Sequence, residues 1–328
     1  MGGKALNITR RVAVGGLAAL PFAGAAQAQN FPGRPMTLVV PFPAGGPADI
    51  FGRNLAERMS PLLGQPVLVE NKSGAAGVTG IDFVAKASTD AHVMGLMSAS
   101  AGAIMQSLMP KMPFDPAKDI APQVLVVRVQ EVFAINSKLG INDLKSFIAY
   151  AKERPGKLTF GSTGVGAMDY LAGELLMQKG GISMVHVPYR GGPLALNDLL
   201  AGQIDTIIEV YPVVMEQIRS GQIKGLAVSS ATRLPSLPDL PTFEEAGVPG
   251  IVLTGWLGIY GPPKMPEDVR KKLGEAIVEV VNQPDIQKKF RDIGFEPMIG
   301  QGVAAFTAHH EAEVKRWVAF LTELGLRK

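Results

Sequence analysis

Short apolar runs ended by glycine-bearing loops recur along the chain, and each is followed by a stretch with helical spacing. Leu38, Val39 and Val40 form the first run, of a length suited to a buried strand, and Pro41 and Pro43 stop it. Gly45-Gly46 permits a tight turn and removes side chains that would hold a ligand away. Pro47 suits a first helical position, and Asp49 can reach back to the open N–H groups of the cap. The spacing predicts a helix from Ala48 to Leu63 with Ile50, Leu55, Met59 and Leu62 on or near one face. Strand, bare loop and helix N-terminus together present N–H groups and the positive end of a helix dipole, a setting for a carboxylate or phosphate. A plain, well-capped turn from strand to helix has the same sequence signature.

The pattern repeats. Pro66–Val69 reads as a strand, Asn71–Gly77 as a second glycine loop before a helix through Ala87, and His92–Met97 as a third strand with a small-residue loop, Ser98–Gly102. Three such units predict a parallel α/β sheet with its ligand at the carboxyl ends of the strands. Gln123–Asn136 is an apolar run long enough to carry the chain into a second domain. There the pattern predicts a helix over Leu144–Glu153, a strand Lys157–Phe160, a loop Gly161–Gly166 and a helix Ala167–Lys179. A strand Val185–Tyr189, a loop Arg190–Pro193 and a helix to Ala201 follow, and Ile204–Glu209 and Lys224–Ser229 complete a second parallel set. Leu234–Pro249, rich in proline and acid, reads as a surface connection. Leu253–Tyr260 reads as a strand returning to the first sheet, and helices near Pro266–Gln283, Pro284–Ile293 and Gly302–Leu324 close the chain. The expected organisation is one lobe from 29–128 and 253–328 and a second from 129–252, the plan of a hinged receptor.

With 328 residues, 47% hydrophobic and 19% charged, the chain can bury the cores of two such lobes. The first 28 residues read as an export leader: Lys4, Arg10 and Arg11 before an apolar stretch from Val12 to Ala23, then Ala26-Gln27-Ala28 as the cleavage site. Thr9-Arg10-Arg11 leaves general secretion and twin-arginine export both open. That leader carries three of the 32 basic residues and none of the 29 acidic ones, so the whole formal charge of +3 resides in it. The remainder is balanced, which removes the argument for nucleic acid as a partner. The absence of cysteine excludes disulfides and thiol catalysis, and no later stretch is apolar for long enough to span a bilayer.

Several segments match a known family in order along almost the whole mature chain. They are V-V-P-F-P-A-G-G-P-A-D-I-F-G-R (39–53), L-G-Q-P-V-L-V-E-N-K-S-G-A-A-G (63–77), F-G-S-T-G-V-G (160–166), L-A-G-E (171–174), V-H-V-P-Y-R-G-G-P-L-A-L-N-D-L-L-A-G-Q-I-D (185–205) and A-V-S-S-A-T-R-L-P-S-L-P-D-L-P-T-F-E-E-A-G (227–247). The chain resembles the substrate-binding proteins of tripartite tricarboxylate transporters, the Bug-type periplasmic receptors. The resemblance implies an α/β, two-lobed periplasmic-binding-protein (Venus-flytrap) fold, each lobe a mostly parallel sheet flanked by helices. It also implies capture of a small carboxylate-bearing metabolite, delivery to membrane transporter subunits, no cofactor and a monomeric, non-enzymatic receptor. By position it assigns the ligand site to Phe42, Ala44, Gly45, Gly46, Ala48 and Asp49 in one lobe and to Ser162, Thr163, Gly164, Gly166 and Asp169 in the other. Ser98, Ser100, Tyr189, Gly191 and Glu209 form the side walls. The chain departs from the family where Pro47 replaces a common Ser or Thr, where Tyr170 replaces a frequent histidine, and where Val210 follows Glu209 in place of asparagine. Those departures imply a narrower or different ligand.

Other chemistries find little support. Gly164-Val-Gly166-Ala-Met-Asp169 lacks the third glycine of a dinucleotide fingerprint, and no phosphate-loop lysine or G-x-S-x-G elbow is present. His92, His186, His309 and His310 have no metal-ligand spacing: the first two read as core residues and the last two as a solvated helix face. Trp256 and Trp317 read as core. A periplasmic sensor component without transport, or a secreted α/β enzyme with a dispersed triad, are the alternatives. If Asp169 and Glu209 face the ligand, a second carboxylate there meets like charge. A monocarboxylate, an amide or amino-acid-like molecule, or an aromatic acid with a ring nitrogen flanked by Phe42 and Tyr189 is then expected rather than a di- or tricarboxylate. Cleavage after Ala28 is checked by the intact mass of the exported protein, which is expected to begin at Gln29.

Overall fold

Strands and helices alternate much as the hydrophobic pattern predicts. The computed structural model describes residues 31–326, apart from Ser88, Thr89, Pro110, Gln301 and Leu324, together with Gly2; the leader read at residues 1–28 otherwise lies outside the described residues. Strand β1 (Met36–Val40) leads into helix α1 (Pro47–Leu63), then β2 (Val67–Asn71), α2 (Val78–Lys86), β3 (Val93–Ser98) and the short α3 (Met105–Leu108). The long β4 (Ala121–Asn136) is followed by α4 (Leu144–Lys152), β5 (Leu158–Ser162), α5 (Met168–Gly180), β6 (Met184–Pro188), α6 (Gly192–Ala201), β7 (Thr206–Val210), α7 (Tyr211–Arg219) and β8 (Ile223–Val228). The chain ends through β9 (Thr254–Gly261), α8 (Glu267–Val281), α9 (Pro284–Asp292), β10 (Glu296–Pro297) and α10 (Val303–Glu323).

Two sets of strands share β4. In the first, β2, β1 and β3 are parallel, β9 runs antiparallel beside β3, and the first half of β4 lies between β9 and β10. In the second, β6, β5 and β7 are parallel, and the second half of β4 runs antiparallel between β7 and β8. The second set is thus split by a crossing strand, which the expectation of a second parallel set omitted. The change of partner is abrupt: Gln130 faces Thr254 of β9, and Glu131 faces Val210 of β7. Arg128 is the one exposed residue of β4. A strand covered on both faces is largely apolar, which accounts for the stretches Val124–Val127 and Val132–Ile135.

Three expectations need correction. On α1 the buried ridge is Phe51, Leu55, Met59 and Leu63, at four-residue spacing, while Ile50 and Leu62 are 40% and 39% exposed. The ridge is set by its partner: the Phe51 ring lies 4.5 Å from Phe290 of α9 and 5.6 Å from Phe295. Ser98–Gly102 is not a loop, since Ser98 ends β3 and Ser100–Ile104 form a π-helical turn running into α3. Its small residues permit close packing, because a Cβ on Gly102 would stand 3.0 Å from Trp256. His310 is buried, its Nε2 3.0 Å from the Gly102 carbonyl oxygen, and burial pushes it below the ordinary histidine range. The segment 234–249 runs over the surface as expected, anchored by buried Phe243 and Val248 and by the bridge of Thr242 to Val228.

The C-terminal helix α10 closes the first sheet. Phe306 lies against Gly258 of β9 where any Cβ would overlap its ring, and it stands 4.9 Å from Tyr260. Gly258→Ala is therefore expected to displace Phe306 and to cost about 1–3 kcal/mol. Denaturant titration should show a lower midpoint with an unchanged slope.

Candidate functional site

A cavity of about 350 Å³ opens at the carboxyl ends of β1 and β3 on one side and of β5 and β7 on the other, with β4 and β9 behind it. Each side contributes a strand, a glycine loop and a helix N-terminus, the pairing that parallel sheets place at their ligand-binding edge. The first loop, Pro41–Gly46, is braced by Asp49. Its Oδ2 accepts from the Gly45 amide at 2.9 Å and from Arg53 Nε at 2.9 Å, and its Oδ1 accepts from Asn71 Nδ2 at 2.8 Å. Asn71 Nδ2 also donates to the Phe42 carbonyl. Burial pushes Asp49 up, but those hydrogen bonds, led by Arg53, outweigh it and hold the carboxyl below its ordinary range. Asp49 thus caps the loop one residue earlier than a capping box would, and its side chain serves the loop.

The second loop, Thr163–Ala167, is braced by Asp169 in the same manner but with no cation at hand. Asp169 Oδ2 accepts from the Thr163 amide at 2.5 Å and Oδ1 from the Tyr170 amide at 2.8 Å. Burial raises its carboxyl to about 6 in spite of these bonds. Gly164, at φ +115°, and Gly166, at φ +88°, take conformations that favour glycine. Ser162 turns away from the cavity. Its Oγ lies 2.7 Å from His186 Nε2 and accepts from the Gly164 amide at 3.2 Å.

Of the residues singled out in the sequence, Phe42, Gly46, Ala48, Ser98, Ser100, Thr163, Gly164, Asp169, Tyr189, Gly191 and Glu209 line this cavity, whereas Ala44, Gly45, Asp49, Ser162 and Gly166 do not. The Tyr189 hydroxyl donates to Asp198 Oδ2 at 2.8 Å, which fixes the ring; burial and Asp198 push the phenol up to about 12. The rims touch. Ser100 Oγ accepts from the Met168 amide of α5 at 3.2 Å, and a Cβ on Gly191 would stand 2.8 Å from Pro43 Cγ.

Sequence reasoning missed Glu131, Val129, the Ala75–Gly77 turn, Trp256 and Phe295, all of which line the cavity. Glu131 did carry a signal: an acid inside an otherwise apolar run is anomalous for a buried strand. It is 2% exposed and Glu209 is 3% exposed. Burial, with repulsion from neighbouring carboxylates, pushes both well above the ordinary range. Trp256 is both core and cavity wall. Its Nε1 donates to Glu313 Oε2 at 3.2 Å, and the same oxygen accepts from Trp317 Nε1 at 3.1 Å.

Comparison with known proteins agrees with this geometry. The sequence profile of the tripartite tricarboxylate transporter family receptor matches residues 51–326. Protein BugT of Bordetella pertussis (strain Tohama I) is 35% identical over 327 residues, 98% of this chain and 99% of that protein. The solved structure of the periplasmic binding protein BugD matches with a TM-score of 0.86 at 34% identity, covering 91% of this chain and 100% of that one. The structure of R. palustris Rpa4515 with adipate matches with a TM-score of 0.85 at 32% identity, covering 90% and 98%. The fold is accordingly the two-lobed, Venus-flytrap one of periplasmic binding proteins, with mixed parallel and antiparallel strand pairing and helices flanking the sheet.

The raised Asp169 has a consequence for stability. Because the folded state holds this proton more tightly than the unfolded chain, its contribution is fully present below about pH 4 and is lost as pH rises through about 6. Melting temperature measured without ligand is expected to fall across that window more steeply in the wild type than in Asp169→Asn.

Proposed function

This chain belongs to the tripartite tricarboxylate transporter receptor family, whose members are periplasmic solute-binding receptors, and we propose that it captures a small carboxylate-bearing metabolite and delivers it to membrane transporter subunits. The observation that carries this reading is the facing of two glycine loops, each ahead of a helix N-terminus, across one cavity. The donors proposed for the carboxylate are backbone N–H groups of the 42–48 and 163–166 loops and the Thr163 hydroxyl, with the Arg190 guanidinium at the rim. Phe42 and Tyr189 are the proposed flanking rings. Adipate in the related R. palustris structure supports the ligand class. Binding without catalysis, as a monomer, completes the reading.

Export is part of the same proposal: residues 1–28 are removed after Ala28 to leave a periplasmic protein. The proposed lobes are 29–128 with 253–328, and 129–252. In support, β4 changes partners between Gln130 and Glu131, and the chain returns at Leu253 to Thr254. Flexing at those two crossings would part the contacts of Ser100 with Met168 and of Pro43 with Gly191, admitting a ligand that closure then encloses.

Small molecules released from the purified protein and read by mass spectrometry are expected to include a carboxylate. Added back, that compound should raise the melting temperature with concentration as linkage requires and should shrink the radius of gyration in scattering. A carboxylate panel that leaves the melt unmoved would overturn the reading. Gly46→Leu should weaken binding by about tenfold or more while leaving the unliganded melt close to wild type. The Gly46 backbone, φ −76° and ψ 167°, is one any residue adopts, and the nearest atom to an added Cβ is the Pro43 carbonyl oxygen at 3.4 Å.

A further inference from the structure

We propose that Glu131, Asp169 and Glu209 form a subsite for a positively charged nitrogen, so that the ligand joins its carboxylate to an ammonium or similar cation; this rests on the carboxylate-receptor reading above. The three acids come from different elements, β4, α5 and β7, and converge on one wall of the cavity. Each is at least 97% buried. They differ in how their oxygens are used. Both oxygens of Asp169 accept backbone N–H groups, so it contributes charge. Glu209 Oε1 accepts from the Val210 amide, while Glu209 Oε2 and Glu131 Oε2 have no hydrogen-bond partner among the described residues. Two unpartnered carboxyl oxygens beside a third carboxylate suit an ammonium, which offers three donors and no acceptor.

The backbone holds Glu131 in place for this. Ser229 Oγ accepts from the Glu131 amide at 2.9 Å, and the Glu131 carbonyl accepts from the Ser229 amide at 2.9 Å. The residue is pinned where the crossing strand changes partners. Glu209 is held against Gly192, whose missing side chain leaves the carboxyl its space.

Buried carboxylates require a proton or a cation, and the protein supplies neither lysine nor histidine here. Among the described residues lining the cavity, Arg190 is the single cation, and it is exposed at the rim beside Tyr189. Among the described residues no group of three or more His, Cys, Asp or Glu side chains is placed to hold a metal ion. A second ligand carboxylate would bring a fourth negative group to the wall. Burial raises all three acids, and repulsion from neighbouring carboxylates adds to it at Glu131 and Glu209, so a cation entering the subsite displaces protons from them.

The test uses the whole mature chain and three matched pairs: 4-aminobutanoate with succinate, 5-aminopentanoate with glutarate, and 6-aminohexanoate with adipate, each by titration calorimetry at pH 7.5. In the pairs that bind, the amino acid is expected to bind at least tenfold more tightly than its dicarboxylate. Repetition in buffers of different ionisation heat should show protons released on binding. The double variant Glu131→Gln, Glu209→Gln should lose the preference and the proton release; retained binding of a member of the pair shows that it folds. Equal or tighter binding of the dicarboxylates by the wild type overturns the inference and leaves the receptor reading standing. Binding of none of the six at millimolar concentration, together with no carboxylate among the molecules released from the purified protein, overturns both. A released carboxylate without a basic nitrogen overturns the inference alone, and one that carries such a nitrogen supports it.

Discussion

The architecture of the site depends on one strand that serves two sheets. β4 is buried from Ala121 to Asn136 apart from Arg128, flanked by β9 and β10 in its first half and by β7 and β8 in its second. Such a strand can hold its backbone polar groups only by pairing continuously, and most of its side chains are accordingly apolar. At the change of partner Ser229 provides the pairing that neither sheet supplies. It exchanges hydrogen bonds with Glu131 on one side, and its hydroxyl donates to the Leu253 carbonyl on the other, at 2.5 Å. The outgoing and returning crossings are thus fastened to each other at one buried serine. The acid at that point, Glu131, lines the cavity.

The two lobes use the same local device with opposite electrical outcomes. Asp49 and Asp169 each sit in the first turn of a helix and each accept an N–H from the preceding glycine loop. Asp49 has Arg53 one turn on and Asn71 beside it, so its charge is neutralised within its own lobe. Asp169 has backbone partners and two further acids within electrostatic reach. One wall of the cavity is therefore close to neutral and the other is acidic. A ligand with unlike ends has a preferred orientation in such a site before any shape fitting begins.

Support for the cavity wall comes from the far end of the chain. Glu313 of α10 accepts from the indole nitrogens of both Trp256 and Trp317 and pairs with Arg316 at 2.9 Å. Trp256 is held between that carboxylate and Phe306, 5.5 Å away. The rigid aromatic wall opposite the loops thus depends on a helix that contributes nothing else to the site.

The strands, the helices and the two glycine loops were legible in the sequence because they rest on interactions among near neighbours. A run such as Leu38–Val40, a cap such as Pro47 with Asp49, and a four-residue ridge are local, and a contiguous motif such as 39–53 carries them intact. Even there the face of α1 was misread, since Phe51 rather than Ile50 turns inward to meet Phe290, more than two hundred residues away. The tertiary structure alone decided what the cavity wall is made of. Glu131, Asp169 and Glu209 follow one another at intervals of 38 and 40 residues along the chain, far too long for any helical or strand periodicity to link them. Their burial together along one cavity follows from the crossing of β4 between the sheets, a juxtaposition set by packing over the whole chain.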